Sequence, residues 1–235
     1  MKGLNRRIDR NKLEVLRSAP LPEPIHAINY IEFQNARYYR LYGLLLAPYA
    51  LPKGAKPIWV GLKTEDFVGK SVENEIVILE YPNHKVLIDI FTSKFYEMIN
   101  GLRERGIKRL GFALCKKERS AEKIGKGNHM IIRFNRRNAS REIALHDFEN
   151  ITKKYFAIEY IASEYGFLNI FKEVEETDPR EVKFKNISIV SGNINNIEES
   201  IEQYQVEMKN GHYDISIQQF RSLGVAESMP WSKLH

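Results

Sequence analysis

A histidine at the predicted start of a helix is the clearest candidate for proton transfer in this sequence. His84 follows Tyr81 and Pro82 and opens a helical pattern. A neutral imidazole at this point could accept a proton from a bound phenol or enol. The structural alternative is an exposed histidine without a chemical role. His84 is therefore predicted as a proton acceptor, with that alternative left open.

A tryptophan in a predicted strand is a candidate for ligand binding. Trp59 offers a large rigid apolar surface and a single N–H donor, which together could wall a pocket and orient a substrate. It could equally be a core residue. The sequence does not separate these two interpretations.

The sequence lacks the patterns that are typical of metal and phosphate sites. Its six histidines include no His-x-x-x-His or His-x-Glu pair, and Cys115 is the single cysteine. No glycine-rich phosphate loop and no nucleophile elbow is present. We therefore predict no metal and no cofactor.

Hydrophobic periodicity places these residues in a β-α-β-β-α-β unit. The second helix of the unit has a break at Thr92 and Ser93, where Ser93 could cap a new turn. The six segments, in order, are IHAINYIEF, ARYYRLYGLLLAPY, KPIWVGL, ENEIVILEY, the helix over 84–106, and IKRLGFALC.

The same order of elements returns in the second half of the chain. A long helix is predicted over 140–165, followed by a hairpin across the TDPR turn and a helix ending at Asn210-Gly211. The strands are HMIIRF, FLNIFKEVEE, VKFKNISIV and DISIQQF. Two copies of one supersecondary unit are therefore predicted.

Each unit has the pattern of a ferredoxin-like fold, an antiparallel four-stranded sheet with both helices on one face. The strand EIVILEY is apolar on both of its faces, so both faces of the sheet need cover. The helices cover one face, and the sheet of the other unit can cover the second. We predict an α+β fold in which the two sheets face each other as an intramolecular pseudo-dimeric α+β barrel.

This fold implies five segments along the chain. A basic N-terminal lead-in spans 1–24 and contains one short helix. The first ferredoxin-like repeat spans 25–117, a linker 118–127, the second repeat 128–223 and a C-terminal tail 224–235. The barrel should close within one chain, so a monomer or a homodimer is expected.

The strands of the second repeat carry polar residues on one face. If that face lines the barrel, it should hold water or a polar ligand, and if it faces outward it is ordinary surface. His129 and Arg133 are predicted to bind substrate in the first case. The other members of the face are Ile131, Asn186, Ser188, Ser216 and Gln218.

Composition indicates an ordinary globular protein. The net charge of +6 is spread over 235 residues, with its densest parts at 1–12 and 116–127, where no aromatic residues are interleaved. No apolar run is long enough to span a bilayer, and no signal-peptide pattern begins the chain. We expect a cytoplasmic protein without a nucleic-acid or membrane partner.

The motifs over 24–117 resemble a known superfamily. They are the first strand AINYIEF, the strand end IWVG, the segment VILEYPNH and the helix segment TSKFYEMI. As a set they are similar to small uncharacterised members of the dimeric α+β barrel superfamily, related to antibiotic-biosynthesis-type monooxygenases. The superfamily also includes haem-degrading monooxygenases, muconolactone isomerases and chlorite dismutases.

The resemblance implies a candidate site. The monooxygenases often place an asparagine on the first strand, a tryptophan near the end of the third strand and a histidine in the second helix. Asn29 matches the first position, the second falls at or next to Tyr81, and the third falls near Ile99. The tryptophan and the histidine of the family pattern are therefore not matched in this sequence, and these two differences argue against haem degradation.

We therefore predict that the barrel binds a small, partly apolar molecule. If the protein is an enzyme, the expected reaction is cofactor-independent oxygenation or isomerisation. Asn29 would orient the substrate, Trp59 and Tyr81 would wall it, and His84 would accept a proton. The alternative is a non-catalytic structural or regulatory protein whose barrel is filled with side chains.

Overall fold

Eight antiparallel strands close into one barrel, with helices packed on its outside. The computed structural model describes residues 10–121, 124–165, 184–192 and 196–223. The strands follow one another around the barrel in the order β1-β3-β2-β8-β5-β7-β6-β4. The elements are α1 (Arg10–Ser18), β1 (Ile25–Phe33), α2 (Ala36–Ala50), β2 (Lys56–Val68), β3 (Glu75–Tyr81), α3 (His84–Phe91), α4 (Lys94–Gly106), β4 (Ile107–Ser120), β5 (Gly127–Arg136), α5 (Arg141–Thr152), β6 (Ala157–Glu164), β7 (Asn186–Ser191), α6 (Ile197–Asn210) and β8 (Tyr213–Ser222).

The two halves of the chain have the same strand order. The first half forms the sheet β4-β1-β3-β2 and the second half the sheet β8-β5-β7-β6. Pairing of β2 with β8 and of β4 with β6 joins the two sheets at both sides. The prediction of two ferredoxin-like units that form one α+β barrel within a single chain is confirmed.

The doubly apolar strand β3 lies between two separate hydrophobic layers. Ile76 and Ile78 point into the barrel, where they pack with Ile131 of the second half. Leu79 and Tyr81 point to the other side and pack against the helices of the first half. Alternation along the strand thus supplies one core inside the barrel and another beneath the helices.

The prediction of a single helix over 140–165 is wrong. Helix α5 ends at Thr152, and strand β6 occupies Ala157–Glu164. Tyr160 and Ala162 point into the barrel, while Ile161 packs under the second-half helices. The spacing of the apolar residues over 157–164 is compatible with either a helix or a strand. The segment is a strand because it pairs with β4 on one side and β7 on the other.

Two predicted boundaries also change. Strand β4 continues to Ser120, so the connection to β5 is shorter than the predicted linker 118–127. The predicted strand FLNIFKEVEE lies outside the described residues. The division of the chain into five segments stays a prediction.

Helix α1 covers the start of α3. Leu13 and Leu16 are buried in the same cluster as Leu87 and Ile88 of α3. The short helix predicted in the lead-in is therefore part of the first-half core. Among the described helices, none has the length and apolar character needed to cross a membrane.

The break in the second helix is confirmed. Helix α3 ends at Phe91 and α4 begins at Lys94, with Ser93 as the N-cap residue between them. The Ser93 hydroxyl accepts a hydrogen bond of 3.1 Å from the backbone N–H of Tyr96. This bond satisfies one of the amide groups that a helix start leaves without a partner.

Replacing Ser93 with alanine is expected to lower the free energy of unfolding by about 1 kcal/mol, the usual cost of losing an N-cap hydroxyl. Urea unfolding would measure it. Ser93→Asn should retain most of the stability, since asparagine also caps helices. Equal losses in both variants would contradict a capping role.

Candidate functional site

Buried side chains from both sheets point into the barrel. The apolar part of this interior comes from both halves of the chain, and each of its buried members is at most 7% exposed. They are Ile28, Trp59, Ile76, Ile78, Ala113, Cys115, Ile131, Tyr160, Ala162, Ile187, Ile189 and Phe220. These side chains form one buried cluster that joins the two halves.

Polar side chains also reach into this interior. At the end where β1 begins, His26 is 1% exposed, and its Nδ1 lies 2.8 Å from the Tyr160 hydroxyl. Its Nε2 lies 3.2 Å from Oε2 of Glu80. Burial lowers the pKa of His26, although the Glu80 carboxylate opposes the effect. The three groups satisfy one another across the two halves.

The two predicted ligand contacts Trp59 and His129 meet inside the barrel. Their rings are 6.2 Å apart, and the Trp59 ring also meets Phe220 edge-on at 6.1 Å. His129 Nε2 lies 3.3 Å from the Glu159 carboxylate. Trp59 is 4% exposed and His129 3%. Both are buried inside the barrel.

Arg133 forms a buried polar network further along β5. Its guanidinium donates to Glu73 at 2.7 Å, to Ser216 at 3.1 Å and to Gln218 at 2.9 Å. The amide of Gln218 in turn donates to the backbone carbonyl of Val68. The network holds the β2–β3 connection of the first half to the second half.

The polar face of the second repeat is therefore only partly as predicted. His129, Arg133 and Gln218 point into the barrel from β5 and β8. On β7 it is instead Ile187 and Ile189 that point inward. Asn186 and Ser188 bond to backbone carbonyls of the adjacent strands. The sequence could not fix this register, because a shift of one residue exchanges the two faces.

A pocket lies outside the barrel, between the first-half sheet and helices α2 and α4. Its volume is about 210 Å³. Apolar side chains form most of its wall, and Asn29 and Tyr81 line it from the sheet. The principal apolar lining residues are Leu44, Leu46, Val60, Val77, Leu79, Phe91, Ile107 and Leu110.

Asn29 is held loosely in this pocket. It lies on β1, and its Nδ2 donates to the Val77 carbonyl of the neighbouring strand at 3.4 Å. A bond of this length is weak compared with the usual 2.9–3.0 Å. The side chain can therefore exchange this partner for a ligand atom.

Charged residues and phenols form the polar part of the pocket. Arg40 of α2 makes an ion pair with Glu75, which is fully buried. Arg103 of α4 is 4% exposed. Burial raises the pKa of Tyr39 and Tyr42, against the lowering effect of the Arg103 charge. Both phenols thus stay protonated and can donate hydrogen bonds.

The structure places His84 away from this pocket. Its ring is 7% exposed and lies beneath α1, with Nε2 3.4 Å from the Arg17 carbonyl. The alternative of an exposed histidine is wrong, because α1 covers the start of α3. Of the six predicted site residues, only Asn29 and Tyr81 line the pocket.

Sequence analysis missed the charged part of the pocket. Glu75 opens a buried strand, and this was a signal in the sequence for a buried charge. Arg40 stands in a helix that also contains Arg37, so its burial was less evident. Arg103 gave no such signal, since it lies in a polar stretch of α4. Within the described part of the chain, no three histidine, cysteine or acidic side chains are grouped to hold a metal ion.

Comparison with known proteins identifies the fold. No protein-family model and no curated protein matches the sequence. A proposed monooxygenase from Lactobacillus acidophilus has a TM-score of 0.52 at 10% identity, over 86% of this chain and 94% of that one. A proposed monooxygenase from Fusobacterium nucleatum also has a TM-score of 0.52, at 9% identity over 86% and 93%.

A third structure is similar over almost the whole chain. It is a variant chlorite dismutase from Candidatus Nitrospira defluvii in complex with cyanide, with a TM-score of 0.50 and 10% identity. The match covers 96% of this chain and 99% of that one. At these identities the likeness concerns the fold alone. The chain therefore has the fold of the dimeric α+β barrel superfamily, with both halves of the barrel in one polypeptide.

Proposed function

We propose that the protein binds a small, partly apolar organic molecule in the pocket between the first-half sheet and helices α2 and α4. The proposal rests on the observation that Asn29 and Tyr81 line the same apolar pocket. A concave apolar wall with a few convergent polar groups is typical of ligand sites.

The size of the pocket limits its ligand. A protein cavity of about 150 Å³ can hold benzene. The pocket volume of about 210 Å³ therefore suits a molecule with one ring and a few substituent atoms. This is smaller than the sites that take drug-sized ligands.

The geometry supports binding more strongly than proton transfer. His84 lies outside the pocket, and Arg40 already binds Glu75, the carboxylate that lines it. The phenols of Tyr39 and Tyr42 are held in their protonated form by burial. If oxygenation or isomerisation takes place here, Asn29 orients the substrate.

A second candidate function rests on the barrel interior. The buried side chains that point into the barrel favour a structural or regulatory protein without a ligand there. The pocket beneath α2 distinguishes the two functions, because only a ligand-binding protein needs that space to stay open.

Filling the pocket tests the proposal. Gly43 of α2 lines the pocket, and a Cβ built there meets nothing within 4 Å. We expect Gly43→Phe to place its ring in the pocket and to abolish ligand retention while the protein stays folded. Native mass spectrometry of gently purified protein and ligand-observed NMR with single-ring compounds would measure retention.

The matched control is Gly101→Phe. Gly101 is also helical, with nothing within 4 Å of its Cβ position, and it does not line the pocket. This variant should bind as the wild type does. The proposal would be abandoned if Gly43→Phe bound the same compounds with unchanged affinity, or if no small molecule associated with the wild type in either measurement.

A further inference from the structure

A glycine occupies an exposed position in the middle of helix α4. A Cβ built on Gly101 meets nothing within 4 Å. Glycine is less favourable than alanine inside a helix, because it loses more conformational freedom on folding. Among the described residues, no neighbour of Gly101 requires the absence of a side chain. The glycine does, however, allow a second backbone to approach this face of α4 closely.

Two opposite charges lie at equal distances on either side of Gly101. Glu97 stands four residues before it and Arg105 four residues after it, so all three lie on one stripe of the helix. Both charged side chains are exposed. They are two turns apart, beyond the spacing of three or four residues at which helical side chains pair. Within the part of the chain that the structure describes, neither belongs to an ion pair, whereas the nearby Lys108 is paired with Glu32.

A second copy of α4 would satisfy both charges at once. In an antiparallel pair of helices related by a two-fold axis at Gly101, a residue before the glycine faces the residue at the same distance after it. Glu97 then faces Arg105 of the partner subunit, and Arg105 faces Glu97 of the partner subunit. The stripe is therefore complementary to itself, as an interface between identical chains must be.

Helices α2 and α4 form one outer surface. Gly106 at the end of α4 packs against the backbone of Tyr39 near the start of α2. At the other end, the rings of Tyr49 and Phe95 are 4.9 Å apart. The two helices are thus antiparallel neighbours, and the outer side of α2 continues the exposed face of α4.

This surface is apolar around the two charges. Met98 of α4 is 73% exposed. Tyr38, Leu41 and Leu45 of α2 are also exposed, and their spacing of three and four residues places them on one stripe. Adjoining exposed apolar side chains mark interaction surfaces, and methionine and tyrosine are enriched at protein interfaces.

We propose that the outer face of α4, with the adjoining side of α2, is the interface of a homodimer whose two-fold axis passes beside Gly101. Met98 packs against apolar side chains of the second copy, and Glu97 and Arg105 form an ion pair at each end of the helix contact. The interface lies on the side of these helices that faces away from the sheet. Each chain therefore keeps its own closed barrel and its own pocket.

Charge reversal tests the pairing. Analytical ultracentrifugation over a dilution series at micromolar concentrations should give the wild type about twice the chain mass of 27.4 kDa. Glu97→Arg and Arg105→Glu each place like charges opposite one another at both ends of the contact, so each alone should weaken the dimer at least about 10-fold. The double variant exchanges the two charges and should restore it. Glu142→Arg, an exposed change on α5, is the control and should leave the dimer unchanged.

A cross-link locates the axis. The single native cysteine, Cys115, is buried. Gly101→Cys places an accessible thiol where the two helices cross, within the Cα separation of about 4.4–6.8 Å that a disulfide needs. Oxidation with copper phenanthroline should join two chains covalently. Glu142→Cys should remain uncross-linked under the same conditions.

Several results would overturn the inference. One is a wild type that is monomeric throughout the series, and another is a dimer that the single reversals leave intact or that the double variant fails to restore. If the charges serve only the helix dipole, the double variant is the least stable and no variant changes the mass. A monomer that sediments with vesicles of phosphatidylcholine and phosphatidylserine, but not as Met98→Lys, would assign the face to a membrane surface and refute the second copy.

Discussion

Replacing Arg133 with alanine is expected to lower the free energy of unfolding by about 3–5 kcal/mol, the usual cost of removing one partner from a buried ion pair. Glu73 is 8% exposed in the wild type, and the variant removes the cation that binds its carboxylate. Ser216 and Gln218 lose hydrogen bonds at the same time. Urea unfolding at pH 7 would measure the loss.

The loss should depend on pH in a defined direction. Burial acts to raise the pKa of Glu73, but the Arg133 charge and hydrogen bonds from Ser71, Arg133 and the backbone outweigh it and lower the pKa. A carboxyl with a lowered folded-state pKa contributes stability above its unfolded pKa of about 4.3, and this contribution disappears as the pH falls through the folded-state value.

Without Arg133, burial is opposed only by the hydrogen bonds from Ser71 and the backbone, so the pKa of Glu73 should rise relative to the wild type. The carboxyl of the variant then takes up a proton at mildly acidic pH, which removes the uncompensated charge. The difference in stability between wild type and Arg133→Ala should therefore shrink between pH 7 and pH 4. A difference that is constant over this range would show that Glu73 is not the group left uncompensated.

The exposed pair of Arg137 and Asp214 provides the control. Arg137 is 70% exposed in the ion pair, so water screens the interaction. Arg137→Ala should change stability little at any pH in this range. A comparable loss in both variants would argue against the special position of the Arg133 network.

Trp59→Ala is expected to cost about 3–5 kcal/mol of unfolding free energy, as large-to-small changes of buried aromatic residues do. The ring is 4% exposed inside the barrel and lies over Gly61, where a Cβ would meet a ring carbon at 2.2 Å. The substitution therefore leaves a cavity in a packed interior. Thermal and urea unfolding would measure the loss.

Ligand affinity should separate this role from that of a pocket wall. Trp59 does not line the pocket beneath α2, so folded Trp59→Ala should bind the same compounds with nearly unchanged affinity. Gly61→Ala provides a second probe, because it forces the ring to move without removing it. If Trp59→Ala has normal stability but no longer binds the ligand, Trp59 forms part of a ligand pocket, as one interpretation of the sequence predicted.

Most of the fold could be predicted from the sequence, because strand β3 is apolar on both faces and both faces must therefore be buried. That requirement, with the repeated order of elements, was enough to predict a closed barrel within one chain. It did not resolve β6, where apolar residues at steps of three and four also satisfied a helix. Only pairing with strands distant in the chain distinguishes the two.

The candidate site was less accessible to sequence reasoning. The resemblance pointed to Asn29 and Tyr81, and these two residues share the pocket. The alternation along β5 placed His129 and Arg133 on one face of the strand. It could not show whether that face lines a cavity or belongs to the hydrophobic core. His84 was misjudged because the cover that α1 provides depends on a tertiary contact. Arg103 was missed for the same reason.

The two seams between the sheets, β2 with β8 and β4 with β6, belong to a single polypeptide. Closure of the barrel is therefore a unimolecular step, whereas a barrel assembled from two chains obeys mass action. Dilution therefore cannot separate the two sheets of one barrel. The fold thus keeps its shape at any level of expression, however few copies a cell contains.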